Sequence, residues 1–336
     1  MICHFSGLSK LVYNRAWAPP MNIIAKDMMK RGYTITRDSN IMWWREPDGV
    51  QEGSVDNADI VIYANFTQDT FQKPGLHVGL QGPEPGYFSI DRVGVWPYLD
   101  QTYRDVSKTD ALNFDNHDPN FGFDESIGLW KENKVSHYNN INLNPGKNSP
   151  LPENVPEDHV LFLISGNNDA WNTERWHRIK KSINTLIAEE IPVVVKYDPK
   201  FLLKGDGTID PKKHMQHEQV LNNLSAFVQV YTNLVSLHDL LPKSRAVILE
   251  DTVINLEPLM HYKPIIVLGS NPYSKHIAKE LVHEHQLLKH IKDLSWHDKH
   301  KQHNWLQWYV MEYLCNDELS VSKRLDKLLK LFDSSN

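Results

Sequence analysis

Residues 249–269 read LEDTVINLEPLMHYKPIIVLG, from Leu249 to Gly269. The apolar run that ends at Leu249 gives way to a polar loop, Glu250–Ile254, and then to a short segment, Asn255–His261, that carries Glu257. A Lys263-Pro264 turn then leads into a second apolar run, Pro264–Leu268. Two apolar strands joined by a loop and a short helix form a crossover, because parallel strands cannot be closed by a tight hairpin. In open α/β sheets, ligands bind where loops leave the carboxyl ends of the strands. Thr252, Val253, Asn255 and Glu257 therefore form a candidate binding segment. The helix start offers backbone N–H groups and the positive end of a dipole to an anion, and Glu257 suits a ribose hydroxyl. The same residues also suit a purely structural role, with Thr252 as the helix cap and Glu257 complementing the dipole.

The same alternation extends upstream. His159–Ile164 reads as a strand and Ser165–Trp171 as a polar loop, followed by Trp176, Ile179, Ile183, Leu186 and Ile187 at helical spacing. Ile191–Lys196, Phe227–Tyr231 and Ala246–Leu249 are further apolar strands of the kind that parallel sheets bury on both faces. Leu237–Leu241 reads as another short helix. In the first half, Ile2–Phe5, Ile60–Ala64 and Leu76–Leu80 read as strands and Asn22–Arg31 as a helix. Between the halves, residues 110–156 are rich in Asn, Asp, Pro and Gly, and the boundary is expected near Asn144–Glu157. The expected division is residues 1–150 and 151–336, each a βαβ domain facing the other, the second holding the terminal helices.

Length and composition agree with this division. A chain of 336 residues exceeds what one hydrophobic core usually organises. No apolar run reaches the roughly 18 residues of a membrane span. Nothing at the start resembles an export signal. Only Cys3 and Cys315 are present, so a disulfide framework is not expected, and a reducing, cytoplasmic setting is. The formal charge of −6 excludes a general attraction to nucleic acid.

Several other features have two readings. His283, His285 and the run WHDKHKQH at Trp296–His303 contain imidazoles, but no metal-ligand spacing, and read as a solvated face. Trp305, Trp308, Tyr309 and Tyr313 suit packing of a terminal helix, or contact with lipid or an acceptor. Val321, Leu325, Leu328, Leu329 and Phe332 form one apolar side of a final helix, which suits covering a domain or lying peripherally on the inner membrane.

The run VINLEPLMHYKPIIVLG resembles the strand, loop and helix signature of retaining β-Kdo glycosyltransferases of bacterial capsule and lipopolysaccharide synthesis. Two other segments resemble the same family. VLFLISGNNDAW, Val160–Trp171, resembles the loop that presents a catalytic Asp, which points to Asp169. GPEPGYFSIDRVGVWPY, Gly82–Tyr98, resembles a first-domain loop with an F-x-[IL]-D-x-x-G run and makes Glu84 the acidic candidate. The resemblance implies a GT-B architecture, two Rossmann-like domains facing a central cleft. It also implies transfer of Kdo from CMP-Kdo to a surface-polysaccharide acceptor with retention.

In that scheme Asp169 is the nucleophile and Glu84 the acid/base, the logic of retaining glycosidases. Ser165, Gly166, Asn168, Lys196, Thr252, Val253, Asn255 and Glu257 hold the nucleotide sugar, and the acceptor lies toward His4–Lys10 and Glu84. By residue type alone, Asp169 also suits a helix cap, and Glu84 an exposed turn. A CMP leaving group carries one phosphate, so neither a cofactor nor a metal is expected. The sequence departs from the family at VVVKYDPKF, Val193–Phe201, where Asp198 replaces a His that binds phosphate. That departure favours a different nucleotide sugar as an alternative. A non-catalytic nucleotide- or sugar-binding partner in a polysaccharide assembly complex is the alternative from a different class.

Overall fold

A computed structural model describes residues 1–6, 12–13, 17–64, 75–80, 86–91, 122–134, 150–164, 173–197, 228–231, 235–250, 256–268, 277–281 and 284–333. The chain divides into two compact units, residues 1–114 with 307–336, and residues 115–306.

The first unit contains β1 (Ile2–Ser6), β2 (Val12–Tyr13), α1 (Ala18–Lys30), β3 (Thr34–Arg37), β4 (Met42–Trp43), β5 (Gln51–Glu52), β6 (Ile60–Ala64), β7 (Gly75–Leu80) and β8 (Phe88–Asp91). The second contains α2 (Phe123–Glu132), β9 (His159–Ile164), α3 (Thr173–Ile187), β10 (Val193–Tyr197), β11 (Val228–Tyr231) and α4 (Leu237–Leu240). It continues through β12 (Ser244–Glu250), α5 (Leu256–Met260), β13 (Ile265–Leu268), β14 (Lys279–Leu281), α6 (Leu287–Lys292) and α7 (Lys299–Trp308). The chain then returns to the first unit through a π-helical turn, Tyr309–Tyr313, followed by β15 (Leu314–Cys315) and α8 (Glu318–Asp333).

The first sheet has the order β15-β8-β7-β6-β1-β3-β5, parallel except where β8 pairs with β7 and with β15. The second has the order β11-β10-β9-β12-β13-β14 and every pair is parallel. In both sheets the first strand lies inside, the next two extend to one side and later strands extend to the other. This is the doubly wound order, with a switch point beside the first strand.

Local chemistry explains the element ends. Helix α1 starts earlier than the expected Asn22, because Pro19 and Pro20 occupy its first turn, where a missing N–H costs nothing. It ends with Gly32 at φ +84°, Gly32 N–H donating to Met29 O and Tyr33 N–H to Met28 O. That paired closure needs the left-handed conformation that glycine adopts without strain.

The expected division at residue 150 is corrected at both ends. Residues 115–150 belong with the second unit, which includes helix α2, whose Phe123, Ile127 and Trp130 are buried. The terminal helix α8 belongs with the first unit, because Val321, Leu325 and Leu328 join the core formed by Cys3, Phe5, Met21, Ile24 and Ile62. Its apolar face is therefore occupied by protein. Trp305, Trp308, Tyr309 and Tyr313 are all buried, as packing aromatics. Among the described residues, no helix is long and apolar enough to cross a membrane.

Candidate functional site

The second sheet brings separated sequence segments to one edge. Opposed residues form a single row across it: Tyr231, Lys196, Leu163, Leu249, Val267 and Glu280. The strands therefore end level with one another, β9 at Ile164 beside β12 at Glu250. Neighbouring strands are about 4.8 Å apart. The ends of these two strands, Ile164 and Glu250, thus lie at adjacent positions although 86 residues separate them in sequence. They do so at the switch point, between the first strand and the fourth.

Of the residues expected in the site, Lys196 and Glu257 are described. Lys196 lies one residue from the end of β10 and is 5% exposed. Glu257 lies in the first turn of α5 and is fully buried. Removing an ammonium or a carboxylate from water is costly unless other groups compensate it, so both positions are chemically specialised. Ser165, Gly166, Asn168, Asp169, Asp198, Thr252, Val253, Asn255 and Glu84 lie outside the described residues.

The turn after α5 fixes where Glu257 sits. Tyr262 has φ 49°, the left-handed region, and its N–H donates to Leu259 O, while Lys263 N–H donates to Pro258 O. The Lys263 ammonium donates to the carbonyls of Ser244 at 2.7 Å and Pro242 at 3.2 Å. The Lys-Pro turn thus clamps the start of β13 to the start of β12 and holds α5 between them.

Behind this turn lies a cluster of imidazoles. His238 Nδ1 and His261 Nε2 are 2.9 Å apart, and the Tyr262 hydroxyl is 2.9 Å from His303 Nδ1. Burial, aided by His238, Lys131 and Lys263, pushes the His261 pKa down to about 3. His297 bonds Gln302. His297 and His303 are half-buried structural partners, while His285 and residues 298–301 are exposed, so the solvated face expected for the Trp296–His303 run holds for part of it. Among the described residues, no three His, Cys, Asp or Glu side chains form a group suited to a metal ion.

The first unit carries a polar network that the sequence pattern did not reveal. His4, in the middle of β1, is fully buried; its Nε2 lies 2.9 Å from Asp38 Oδ1 and its Nδ1 2.9 Å from Thr36 Oγ1. The Ser6 hydroxyl donates to the other Asp38 oxygen at 2.9 Å. A carboxylate only accepts, so His4 donates from Nε2, while Nδ1 pairs with the Thr36 hydroxyl. The register continues this polar row across the sheet, with Ser6 opposite Tyr63, Tyr63 opposite His77, and His77 opposite Asp91. The Tyr63 and His77 rings stack at 5.0 Å, and burial pushes the His77 pKa down to about 4.

No protein-family model matches the chain, and no curated protein matches it by sequence. Similarity is found among solved structures. The β-Kdo 2,4 transferase of Thermosulfurimonas dismutans KpsC matches with a TM-score of 0.56 and 14% identity, over 95% of this chain and 94% of that one. The β-Kdo 2,7 transferase of the same KpsC matches with a TM-score of 0.46 and 11% identity, over 99% of each chain. UDP-GlcNAc 2-epimerase from Methanocaldococcus jannaschii, solved with UDP-GlcNAc and UDP, gives 0.39 and 11%, over 98% of this chain and 99% of that one. The first of these matches, together with the two doubly wound sheets, establishes the fold: this chain has a GT-B-type fold built of two Rossmann-like α/β units.

Proposed function

We propose that the protein is a cytoplasmic glycosyltransferase that moves Kdo from CMP-Kdo to a surface-polysaccharide acceptor with retention. One observation carries the reading. Strands β9 and β12, which lead into the two second-half segments resembling the β-Kdo transferases, end side by side at the switch point of the second sheet. Ligands of doubly wound sheets bind at this position. The likeness over nearly the full length of a solved β-Kdo 2,4 transferase supports Kdo as the sugar transferred.

In this mechanism the second unit binds CMP-Kdo. Lys196 faces the phosphate, Glu257 accepts hydrogen bonds from the ribose, and Ser165, Gly166, Asn168, Thr252, Val253 and Asn255 complete the pocket. A carboxylate oxygen of Asp169 attacks the anomeric carbon, and CMP leaves with the bonding electron pair. The acceptor hydroxyl then attacks the same carbon from the opposite face to CMP's replacement, gives its proton to Glu84 and releases Asp169. Two inversions give net retention. A departing CMP carries a single phosphate, which Lys196 neutralises, so no metal is assigned a role.

The deciding experiment is mass spectrometry of the protein incubated with CMP-Kdo generated in situ, comparing the native chain with Asp169→Ala. A sugar adduct that maps to Asp169 and is absent from the variant supports donor, reaction and nucleophile together. Absence of both adduct and donor consumption across a panel of glycan acceptors removes the Kdo assignment. Asp198 favours a second reading, a different nucleotide sugar. Thermal shifts separate the two, since CMP stabilises the first kind of protein and UDP or GDP the second.

A further inference from the structure

We infer that Asp38, held by His4 and Ser6 at the switch point of the first sheet, binds hydroxyl groups of the acceptor glycan. The inference rests on the glycosyl-transfer reading above and assigns its acceptor side to particular residues. Strand β1 is flanked by β3 and β6, so the switch point of the first unit lies beside Ser6. Asp38 follows the last residue of β3, and its N–H donates to Phe5 O, which brings it level with the carboxyl end of β1.

Burial is graded across this network. His4 is fully buried, Ser6 is half-buried, and the Asp38 side chain is 26% exposed. His4 and Ser6 each hold a different oxygen of Asp38, so the carboxylate reaches solvent in one fixed orientation. Fixed orientation is what a carbohydrate subsite requires, because a few placed polar groups set the ligand's orientation and rotamer freedom lost on binding lowers affinity. The opposite face of the same strands is apolar, lined by Cys3, Phe5, Ile35 and Ile62. Strands buried between helices are most simply stabilised by apolar side chains on both faces. The polar face of β1 therefore costs desolvation that a second apolar layer would avoid. A substrate-facing role for Asp38 accounts for that cost, with His4 and Ser6 as positioning residues.

The test uses the full chain on an array of bacterial surface oligosaccharides, with the CMP-dependent thermal shift measured in parallel. The native protein is expected to retain a subset of the glycans. Asp38→Asn should weaken that binding by about tenfold or more, the loss of a hydrogen bond to a charged acceptor. Ser6→Ala should weaken it less, and neither variant should alter the CMP shift. Ser6→Ala removes a single half-buried hydroxyl and carries the test if Asp38→Asn does not fold. Native-like glycan binding by the variants overturns the inference, as does a native protein that binds no glycan. A melting temperature that falls in step with glycan binding also overturns it, because it makes the network structural. A native protein that binds glycans but shows no CMP shift instead removes the CMP-sugar reading and leaves the Asp38 assignment standing.

Discussion

The Tyr313 hydroxyl donates to Oδ2 of Asp91 at 3.0 Å, joining residues 222 apart in sequence, both buried. Around this bond, the Arg324 guanidinium lies over the Tyr313 ring at 4.9 Å, and its Nε donates to Ile90 O. The C-terminal segment is thereby fastened to the edge of the first sheet by polar contacts as well as by the apolar face of α8. Tyr313→Phe keeps the ring and deletes one donor to a buried carboxylate, which costs about 1–3 kcal/mol. The first unit should unfold at lower urea while the second is unchanged. Fluorescence and circular dichroism should then report separate transitions, as expected for two units that do not melt together.

Much of this architecture is legible in the sequence, and the limits have physical causes. Strand β9 matches its expected bounds because a continuous apolar run has one reading in a parallel sheet. Strand β3, TITR, is missed because four residues with exposed Thr34 and half-buried Arg37 carry too little periodic signal. Periodicity identifies the apolar face of α8 but not the unit that face covers, so its packing on the first core was not readable. The candidate segments after β9 and β12 are recognisable singly, whereas the pairing of the two strands that lead into them depends on strand order. The His4–Asp38 contact is created by the parallel register of β1 and β3, which sets His4 opposite Thr36 and so brings Asp38, two residues further on, within reach, and no local spacing encodes that.

Acid should weaken both units, and the direction follows from two depressed imidazoles. Burial holds His77 at about 4, and burial together with His238, Lys131 and Lys263 holds His261 at about 3. In the unfolded chain both titrate near 6.5. The unfolded state therefore binds more protons once pH falls below about 6.5, and stability declines from there toward the folded values. Each group contributes a slope of at most about 1.4 kcal/mol per pH unit, less for His261, which keeps some contact with solvent. Urea unfolding at pH 7.5, 6.5 and 5.5 should show this decline. His77→Gln should flatten it for the first unit alone, and His261→Gln for the second alone; an unchanged slope in either variant refutes the assignment.

Two glycines should respond to alanine in opposite directions. A Cβ on Gly75 would collide with Val61 O and sit 2.7 Å from the Tyr63 ring, so the backbone of β6 or β7 must move. Gly75→Ala should destabilise the first unit by about 1–3 kcal/mol, the usual cost of overpacking. A Cβ on Gly128, within α2, meets nothing within 4 Å. Gly128→Ala should stabilise the second unit by about 0.5–1 kcal/mol through helix propensity. Thermal melts of the two variants, read against the native chain, check both signs.

Lys196 separates binding from folding. Its side chain is almost wholly buried one residue from the end of β10, opposite Leu163 on one side and Tyr231 on the other. If that ammonium served the fold, Lys196→Met would lower stability, since removing one partner of a buried ionic contact commonly costs several kcal/mol. If it serves a phosphate, the same change keeps the length of the side chain, and the loss should fall on nucleotide binding more than on stability. CMP affinity should then fall by about tenfold or more, the worth of a hydrogen bond to a charged group. Calorimetric titration with CMP, beside a urea melt without nucleotide, reads the two effects independently. Lost stability with retained CMP affinity would assign Lys196 to the scaffold and leave the phosphate to residues of the segments that follow β9 and β12.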